Sequence, residues 1–233
     1  MKTNLLPFRD RVAAGQALST ALDAYRARED VIVLALPRGG VPVAAEVAAK
    51  LGADLDLMIV RKLGVPGHSE LAMGAIASGG IRVLNPHVIS SLRIKDVAIE
   101  EVASREQREL ERREHAYRGA RPRPVIEGRC VILVDDGIAT GATMRAAIEA
   151  LRRQSPAKIV VAVPVAPPDT VIRLRAEADE VICLETPELF MAIGQFYIEF
   201  PQLSDEAVRE QLAKTWAATA DGSPAHGRVG SSA

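Results

Sequence analysis

One segment, residues 131–144, constrains the fold of this chain more than any other. It reads Val-Ile-Leu-Val-Asp-Asp-Gly-Ile-Ala-Thr-Gly-Ala-Thr-Met. Four branched apolar residues predict a buried strand, two carboxylates follow, and a loop of small residues leads into a helical pattern. The segment therefore predicts a strand, a loop and a helix in succession, with two acids at the carboxyl end of the strand.

Further apolar runs alternate with helical patterns along the chain. The predicted strands are continuous runs of Val, Ile and Leu, which is typical of a parallel sheet covered on both faces. We therefore predict an α/β fold with a doubly wound, mostly parallel sheet, in which the loops at the carboxyl ends of the strands share one rim. The strands are expected at 31–36, 54–60, 129–134, 158–165 and 179–184, and helices at 11–28, 42–51, 141–154, 168–177 and 205–216.

Length and composition indicate one sizeable domain. The chain has 233 residues, of which 48% are hydrophobic, and this is enough for a single core over residues 1–218. Within that domain we expect a flexible loop and hairpin at 61–84, a charged helix at 95–118 and a small C-terminal hood at 185–201. The helix could be a solvated arm or a dimer contact. The tail, 219–233, is rich in Gly, Ser and Ala and is predicted to be disordered.

Charge and hydropathy argue against two classes of partner. The formal net charge is −1 and only 3% of the residues are aromatic, so nucleic-acid binding is not expected. The longest apolar run, 31–37, is far shorter than a membrane span. Cys130 and Cys183 lie far apart without metal-ligand spacing, and both are expected to be reduced thiols. We therefore expect a cytoplasmic protein that binds neither nucleic acid nor membrane.

The loop after the two acids has the chemistry of an anion-binding site. Gly137, Thr140, Gly141 and Thr143 offer backbone N–H groups and hydroxyls at a helix N-terminus, where the helix dipole favours a phosphate monoester. The acids could then accept hydrogen bonds from sugar hydroxyls or lie near a sugar-bound metal ion. The loop is not a Walker loop, because Ala142 stands where that loop needs lysine, and its glycines are spaced wrongly for a dinucleotide fingerprint.

A second unusual loop follows the predicted strand 31–36. It reads Pro37-Arg38-Gly39-Gly40, in which the glycines permit a tight turn with outward N–H groups and the arginine adds a planar cation. A pyrophosphate would fit such a loop at the rim of the sheet. The alternative is an ordinary turn with an exposed arginine.

The strand, acid pair and Thr-Gly-x-Thr loop together resemble the ribose-phosphate signature of the type I phosphoribosyltransferases. Leu-Pro-Arg-Gly-Gly, Arg-Lys-Leu-Gly and Val-Asp-Asp-Gly-Ile-Ala-Thr-Gly-Ala-Thr, in this order, look like a group of predicted bacterial members whose acceptors are unassigned. The resemblance covers residues 8–215. It implies an enzyme that binds 5-phosphoribosyl-1-pyrophosphate with Mg²⁺, transfers the phosphoribosyl group to a nitrogen acceptor such as a nucleobase, and releases pyrophosphate. A homodimer is one possible assembly.

The resemblance also implies roles for individual residues. Basic residues of a mobile loop close over the pyrophosphate in this family, and rings in the hood cover the base, although packing against the core is the alternative for those rings. Mg²⁺ would be held mainly by the substrate, near the acid pair. The implied catalytic residues are Asp135, Asp136, Arg61 and Lys62; the phosphoribosyl-phosphate site is Asp135, Asp136, Gly137, Ile138, Ala139, Thr140, Gly141, Ala142 and Thr143; the pyrophosphate site is Pro37, Arg38, Gly39, Gly40, Arg61 and Lys62; and the base site is Phe196 and Tyr197.

Two other functions stay open. A non-catalytic regulatory protein could sense phosphoribosyl pyrophosphate with the same loops, although Arg61 and Lys62 favour an enzyme, since sensing needs no lid that excludes water. A sugar-phosphate hydrolase would need a nucleophile motif, which the chain lacks.

The hypoxanthine-guanine members carry an aspartate where this chain has Ala139, so poor turnover of 6-oxopurines is expected.

Overall fold

The computed structural model describes residues 6–221 of the chain. Two short 3-10 turns lie at Asp23–Tyr25 and Ile193–Phe196. The other elements, in chain order, are α1 (Arg11–Ala21), β1 (Val31–Ala35), α2 (Gly40–Leu51), β2 (Asp54–Leu57), β3 (Val60–Val65), β4 (His68–Ala77), β5 (Ile81–Leu84), α3 (Pro86–Ser91), α4 (Asp96–Arg118), β6 (Cys130–Val134), α5 (Ala142–Arg152), β7 (Lys158–Val165), α6 (Pro168–Arg175), β8 (Glu180–Glu185) and α7 (Asp205–Asp221).

The central sheet has five strands, all parallel, in the order β2-β1-β6-β7-β8. After β1 the chain adds β2 on one side of the sheet, and after β6 it adds β7 and β8 on the other side. The loops that leave β1 and β6 therefore diverge and open a crevice at the carboxyl end of the sheet, where doubly wound folds bind their ligands. The predicted doubly wound α/β fold is confirmed.

Both faces of this sheet are buried, as the continuous apolar strands predict. Val33 and Ile132 lie in one apolar cluster, whereas their chain neighbours Leu34 and Leu133 lie in a second cluster across the sheet. Side chains of α1, α2, α4 and α7 belong to the first cluster and those of α5 and α6 to the second. Because burial of one such side chain contributes roughly 1.5–3 kcal/mol, the two clusters hold the strand ends at the crevice in fixed positions.

A second sheet, antiparallel and three-stranded, has the order β3-β4-β5 and contacts α4 and α5. Its strands β4 and β5 join at Gly79 and Gly80, which have φ angles of 92° and 72°. Two successive residues with positive φ are what a tight hairpin turn requires. The hairpin predicted at this pair of glycines is therefore present.

The strand predicted at 54–60 is divided between the two sheets. It ends in the parallel sheet at Leu57 and resumes at Val60 as part of the antiparallel sheet. The flexible loop expected from residue 61 is wrong for 61–65, because these residues pair with β4 as strand β3. Only the turn at Pro66 and Gly67 remains of that loop.

The charged helix predicted at 95–118 is present as α4, but it is not a solvated arm. Its narrow apolar stripe, which includes Val102 and Leu110, is buried in the core. Arg82 of β5 forms a two-pronged ion pair with Glu100 on its charged side. The helix therefore supports the antiparallel sheet.

Helix boundaries differ from expectation at two places. α1 ends at Ala21 rather than at residue 28, because the chain tightens into the 3-10 turn and buries Tyr25. α7 continues past residue 216 to Asp221; the rest of the predicted disordered tail, 222–233, lies outside the described residues. Within the described part of the chain, no helix is long and apolar enough to span a membrane.

Candidate active site

The two acids that follow β6 occupy different environments. Asp135 is half-buried at the end of the strand, whereas Asp136 is only 6% exposed. The Nε atom of Arg11 donates to Oδ2 of Asp136 over 2.7 Å, and this guanidinium is itself buried. The N–H of Asp136 donates to Oδ1 of Asp135 over 2.9 Å. One acid is thus at the crevice and the other is held by a buried cation.

Burial shifts the pKa of both carboxyls in the same direction. Loss of hydration and the negative charge of Asp136 raise the pKa of Asp135 well above its usual range. Burial also raises the pKa of Asp136, against the opposing effect of Arg11. Two desolvated carboxylates side by side favour hydrogen-bond donors or a cation as their next neighbour. Sugar hydroxyls and a substrate-bound metal ion both meet that requirement.

The loop after β1 packs directly against the acids, and its glycines make this contact possible. A Cβ atom added to Gly39 would lie 2.1 Å from Oδ2 of Asp136, and one added to Gly40 would lie 2.6 Å from the carbonyl oxygen of Val134. Real Cβ atoms do not approach so closely, so any larger residue would push the two loops apart. The structure therefore joins the loop Pro37-Arg38-Gly39-Gly40 to the acid pair, as the sequence suggests.

The same β1 loop contains a cis peptide bond between Pro37 and Arg38. The side chain of Arg38 is about 40% exposed, and its Nη1 lies 3.8 Å from Oδ1 of Asp205 at the start of α7. Such an exposed, long ion pair contributes little to stability. Arg38 can therefore turn toward an anionic ligand at small cost.

The loop between β6 and α5 is held firmly at its start and left open at its end. The N–H of Ile138 donates to the carbonyl oxygen of Val165 over 2.9 Å, and Oγ1 of Thr170 donates to the carbonyl oxygen of Ala139 over 2.8 Å. Gly141, the N-cap of α5, has a φ of 78° and no capping side chain, and the N–H of Ala142 makes a long, 3.5 Å hydrogen bond to Oγ1 of Thr140. The helix N-terminus thus presents its N–H groups toward the crevice, which is the arrangement that binds phosphate.

Arg61 and Lys62 point to opposite sides of β3, because successive residues of a strand alternate between its faces. Arg61 donates to Oε2 of Glu106 on α4, from Nε over 3.0 Å and from Nη2 over 2.6 Å. Lys62 instead lines, with Thr143, a cavity of about 710 Å³ between the antiparallel sheet and α5. The structure thus places Lys62 beside α5 but holds Arg61 at Glu106, and the role of both cations in binding pyrophosphate stays a prediction.

The rings predicted to stack on a base belong to the core. Phe196 and Tyr197 are each 6% exposed and lie in an apolar cluster with Phe8. The centroid of the Tyr197 ring is 4.8 Å from that of Phe200, and its hydroxyl donates to the carbonyl oxygen of Asp136 over 2.5 Å. Stacking on a ligand would require this cluster to open, so the assignment of Phe196 and Tyr197 as a base-binding pair is corrected.

Sequence reasoning missed Arg11, which is the nearest charged partner of the acid pair. It is the first residue of α1, directly after the N-cap Asp10, and it is separated by 125 residues from Asp136. An arginine in the first turn of an amphipathic helix carries no local signal of such a contact. Only the packing of α1 on the sheet brings the two together.

Comparison with known proteins places the chain in a family. The model of the phosphoribosyl transferase domain family matches residues 3–201. The chain belongs to this family. It is 49% identical over 201 residues to Rv0571c of Mycobacterium tuberculosis H37Rv, and equally to MT0597 of strain CDC 1551, both provisionally named phosphoribosyl transferases. Each match covers 86% of this chain but 45% of the relative, so the chain spans less than half the length of these curated family members.

A solved structure of similar sequence has the same fold. The crystal structure of TT1426 from Thermus thermophilus is 45% identical in sequence, has a TM-score of 0.80, and covers 90% of this chain and 99% of its own. The two chains therefore share the same fold over most of this chain.

Proposed function

We propose that this protein is a phosphoribosyltransferase that binds 5-phosphoribosyl-1-pyrophosphate with Mg²⁺, transfers the phosphoribosyl group to a nitrogen acceptor, and releases pyrophosphate. The observation that carries the proposal is the packing of Gly39 against Asp136. This contact joins the β1 loop to the acid pair, and the loop that follows the acid pair leads directly into the N-terminus of α5. Membership of the phosphoribosyl transferase domain family supports the same activity.

Each part of the substrate has a suitable partner in this arrangement. The 5-phosphate would lie at the N-terminus of α5, on residues 137–143, where N–H groups and the hydroxyls of Thr140 and Thr143 converge. The sugar hydroxyls would donate to Asp135 and to the Oδ1 atom of Asp136, since Arg11 occupies Oδ2. The pyrophosphate would lie on the β1 loop, where Arg38 can turn toward it.

The chemistry requires no covalent enzyme intermediate. The bond between C1 of the sugar and the pyrophosphate oxygen breaks, and its electron pair leaves with pyrophosphate. The acceptor nitrogen forms the new bond to C1, and a proton carried by that nitrogen is lost to water or to the departing pyrophosphate. The sugar becomes cation-like on the way, and the carboxylates beside it help to balance that charge. Mg²⁺, when bound with the substrate, would neutralise the leaving group. The loops fix the reactants in the orientation that the displacement needs.

A regulatory protein that senses phosphoribosyl pyrophosphate is the second candidate. The observation in its favour is the ion pair between Arg61 and Glu106, which leaves one cation fewer to close over the pyrophosphate. Turnover rather than binding separates this candidate from the enzyme.

Titration calorimetry with phosphoribosyl pyrophosphate tests the ligand, and pyrophosphate release tests the reaction. We expect tighter binding in Mg²⁺ than in EDTA, because Arg38 and backbone N–H groups cannot balance the charge of the pyrophosphate alone. Pyrophosphate release should depend on a nucleobase acceptor from a panel. Equal binding in EDTA would refute the role of Mg²⁺, and no binding in either buffer would refute the ligand. Mg²⁺-dependent binding without release with any acceptor would favour the regulatory protein.

A further inference from the structure

We propose that Arg11 is a positioning residue for the sugar site, and that it couples the acid pair to the hood segment 185–201. This inference rests on the proposed function. Arg11 is contributed by α1, an element to which neither the sequence motifs nor the proposed substrate contacts assign any role at the site. Its guanidinium nevertheless contacts both the acid pair and the end of the hood.

The guanidinium of Arg11 makes contacts with both the acid pair and the end of the hood. Nε donates to Oδ2 of Asp136 over 2.7 Å, and Nη1 donates to the carbonyl oxygen of Pro201 over 2.8 Å. The guanidinium carbon lies 3.8 Å from the centre of the Phe200 ring. Arg11 is 8% exposed, so these contacts are shielded from water, which strengthens them.

The hood reaches the same acid by a second route. The hydroxyl of Tyr197 donates to the carbonyl oxygen of Asp136 over 2.5 Å, and its ring stacks on that of Phe200. The side chain and the backbone of Asp136 are therefore both held by groups that the hood carries or contacts. A shift of the hood must change the position of this carboxylate.

The planar fork of the guanidinium suits this task, whereas an ammonium group does not. Arginine donates in two fixed directions and lies flat on an aromatic ring, but lysine offers a single strongly hydrated charge. With Oδ2 occupied by Arg11, the carboxylate keeps one orientation and offers Oδ1 to a sugar hydroxyl.

The test uses the full chain with Arg11→Met and Arg11→Lys, and Arg118→Met as the matched control. Arg118 is equally buried, at 7% exposed, and its Nη2 donates to Asp56 over 2.5 Å on the edge strand β2, which β1 separates from β6 and the acid pair. Loss of either arginine removes a buried ion pair, so both variants should lose stability. Only the Arg11 variants should change sugar recognition.

The readout is the ratio of affinities for ribose 5-phosphate and 2-deoxyribose 5-phosphate, measured by calorimetry on folded protein. We expect Arg11→Met to weaken ribose 5-phosphate by about tenfold or more, the effect of losing a charge-assisted hydrogen bond, and to reduce the ratio toward one. Arg118→Met should keep the wild-type ratio. Arg11→Lys should behave like Arg11→Met, and it provides the same readout if the methionine variant does not fold.

An unchanged ratio of the two sugar-phosphate affinities in the Arg11 variants would overturn the proposal. An equal fall of this ratio in Arg118→Met would also overturn it, because the role of Arg11 would then be merely structural. Failure of wild-type protein to bind either sugar phosphate would instead refute the proposed function. In a combined Arg11→Met and Asp136→Asn variant, we expect no further loss beyond that of one substitution, because both act through the same carboxylate.

Discussion

Burial raises the pKa of both Asp135 and Asp136, but only Asp136 forms an ion pair with a buried arginine. We predict that Asp135→Asn raises the free energy of unfolding by about 1 kcal/mol at pH 7 while it weakens binding of phosphoribosyl pyrophosphate. The cause is the raised pKa of Asp135, since burial and the charge of Asp136 disfavour its ionised form. Urea unfolding of both proteins measures the difference.

The pH dependence gives this prediction its sign. The pKa of Asp135 is higher in the folded chain than its usual value of 3.8, so the folded state takes up the proton first as the pH falls. The gain in the free energy of unfolding from Asp135→Asn should therefore be complete at a pH above the folded pKa of Asp135. This gain should disappear as the pH falls through that pKa toward 4. Equal or lower stability of the variant at pH 7 would contradict the prediction.

Asp136→Asn is the matched comparison at the next position. It leaves Arg11 buried without a charged partner, and we expect it to lower the free energy of unfolding by roughly 1.5–3 kcal/mol. Sequence motifs identify both acids, but they cannot show this difference. The ion pair that separates them joins α1 to the end of β6, and local patterns do not report contacts between residues 125 positions apart.

Strand β3 permits an equally direct comparison at the scale of a single element. We predict that Lys62→Ala weakens binding of phosphoribosyl pyrophosphate by about tenfold or more, because Lys62 lines the cavity that reaches Thr143 of the phosphate loop. Arg61→Ala should change binding by less than about threefold and destabilise the fold by roughly 0.2–1 kcal/mol, since it loses only its partly exposed ion pair with Glu106. Calorimetry measures the change in binding for each variant, and urea unfolding measures the change in stability.

A larger loss of binding in Arg61→Ala than in Lys62→Ala would show that Arg61 leaves Glu106 when the ligand binds. The sequence suggests a loop here because Gly64, Pro66 and Gly67 interrupt the apolar pattern. In the structure the pairing of β3 with β4 shifts register on either side of Gly64, so the strand tolerates that glycine as an irregularity. Strand alternation then decides which cation faces α5 and which faces α4.

Across the whole molecule, the doubly wound parallel sheet followed from sequence because its strands are buried on both faces and read as unbroken apolar runs, whereas the strand order β2-β1-β6-β7-β8 came from the structure. The structural role of the hood segment did not follow from sequence, since aromatic residues suit a base-covering surface and a core cluster equally well. Phe196 and Tyr197 proved to be core. Any acceptor must therefore be recognised by other groups at the open rim.

The residue at position 139 leads to a prediction about that acceptor. Resemblance to the hypoxanthine-guanine enzymes places an acid–base aspartate where this chain has Ala139, an exposed residue of the phosphate loop. The hood offers only Glu185, Glu188 and Glu199 as substitutes. Loss of a positioned acid–base group typically costs about 10²–10⁴-fold in rate. We therefore expect kcat/KM for hypoxanthine and guanine below about 10⁴ M⁻¹s⁻¹, the low end of ordinary enzyme efficiency.

A steady-state panel of hypoxanthine, guanine, adenine, orotate and uracil at saturating phosphoribosyl pyrophosphate measures this directly. Ala139→Asp should raise turnover of the two 6-oxopurines by about tenfold or more, because it restores a carboxylate that can accept a proton. Ala139→Asn has the same size without that capacity and should leave turnover unchanged. Efficient use of hypoxanthine or guanine by the wild-type protein would show that another group supplies the proton transfer. An equal gain in turnover in Ala139→Asp and Ala139→Asn would assign the effect to hydrogen bonding rather than to acid–base chemistry.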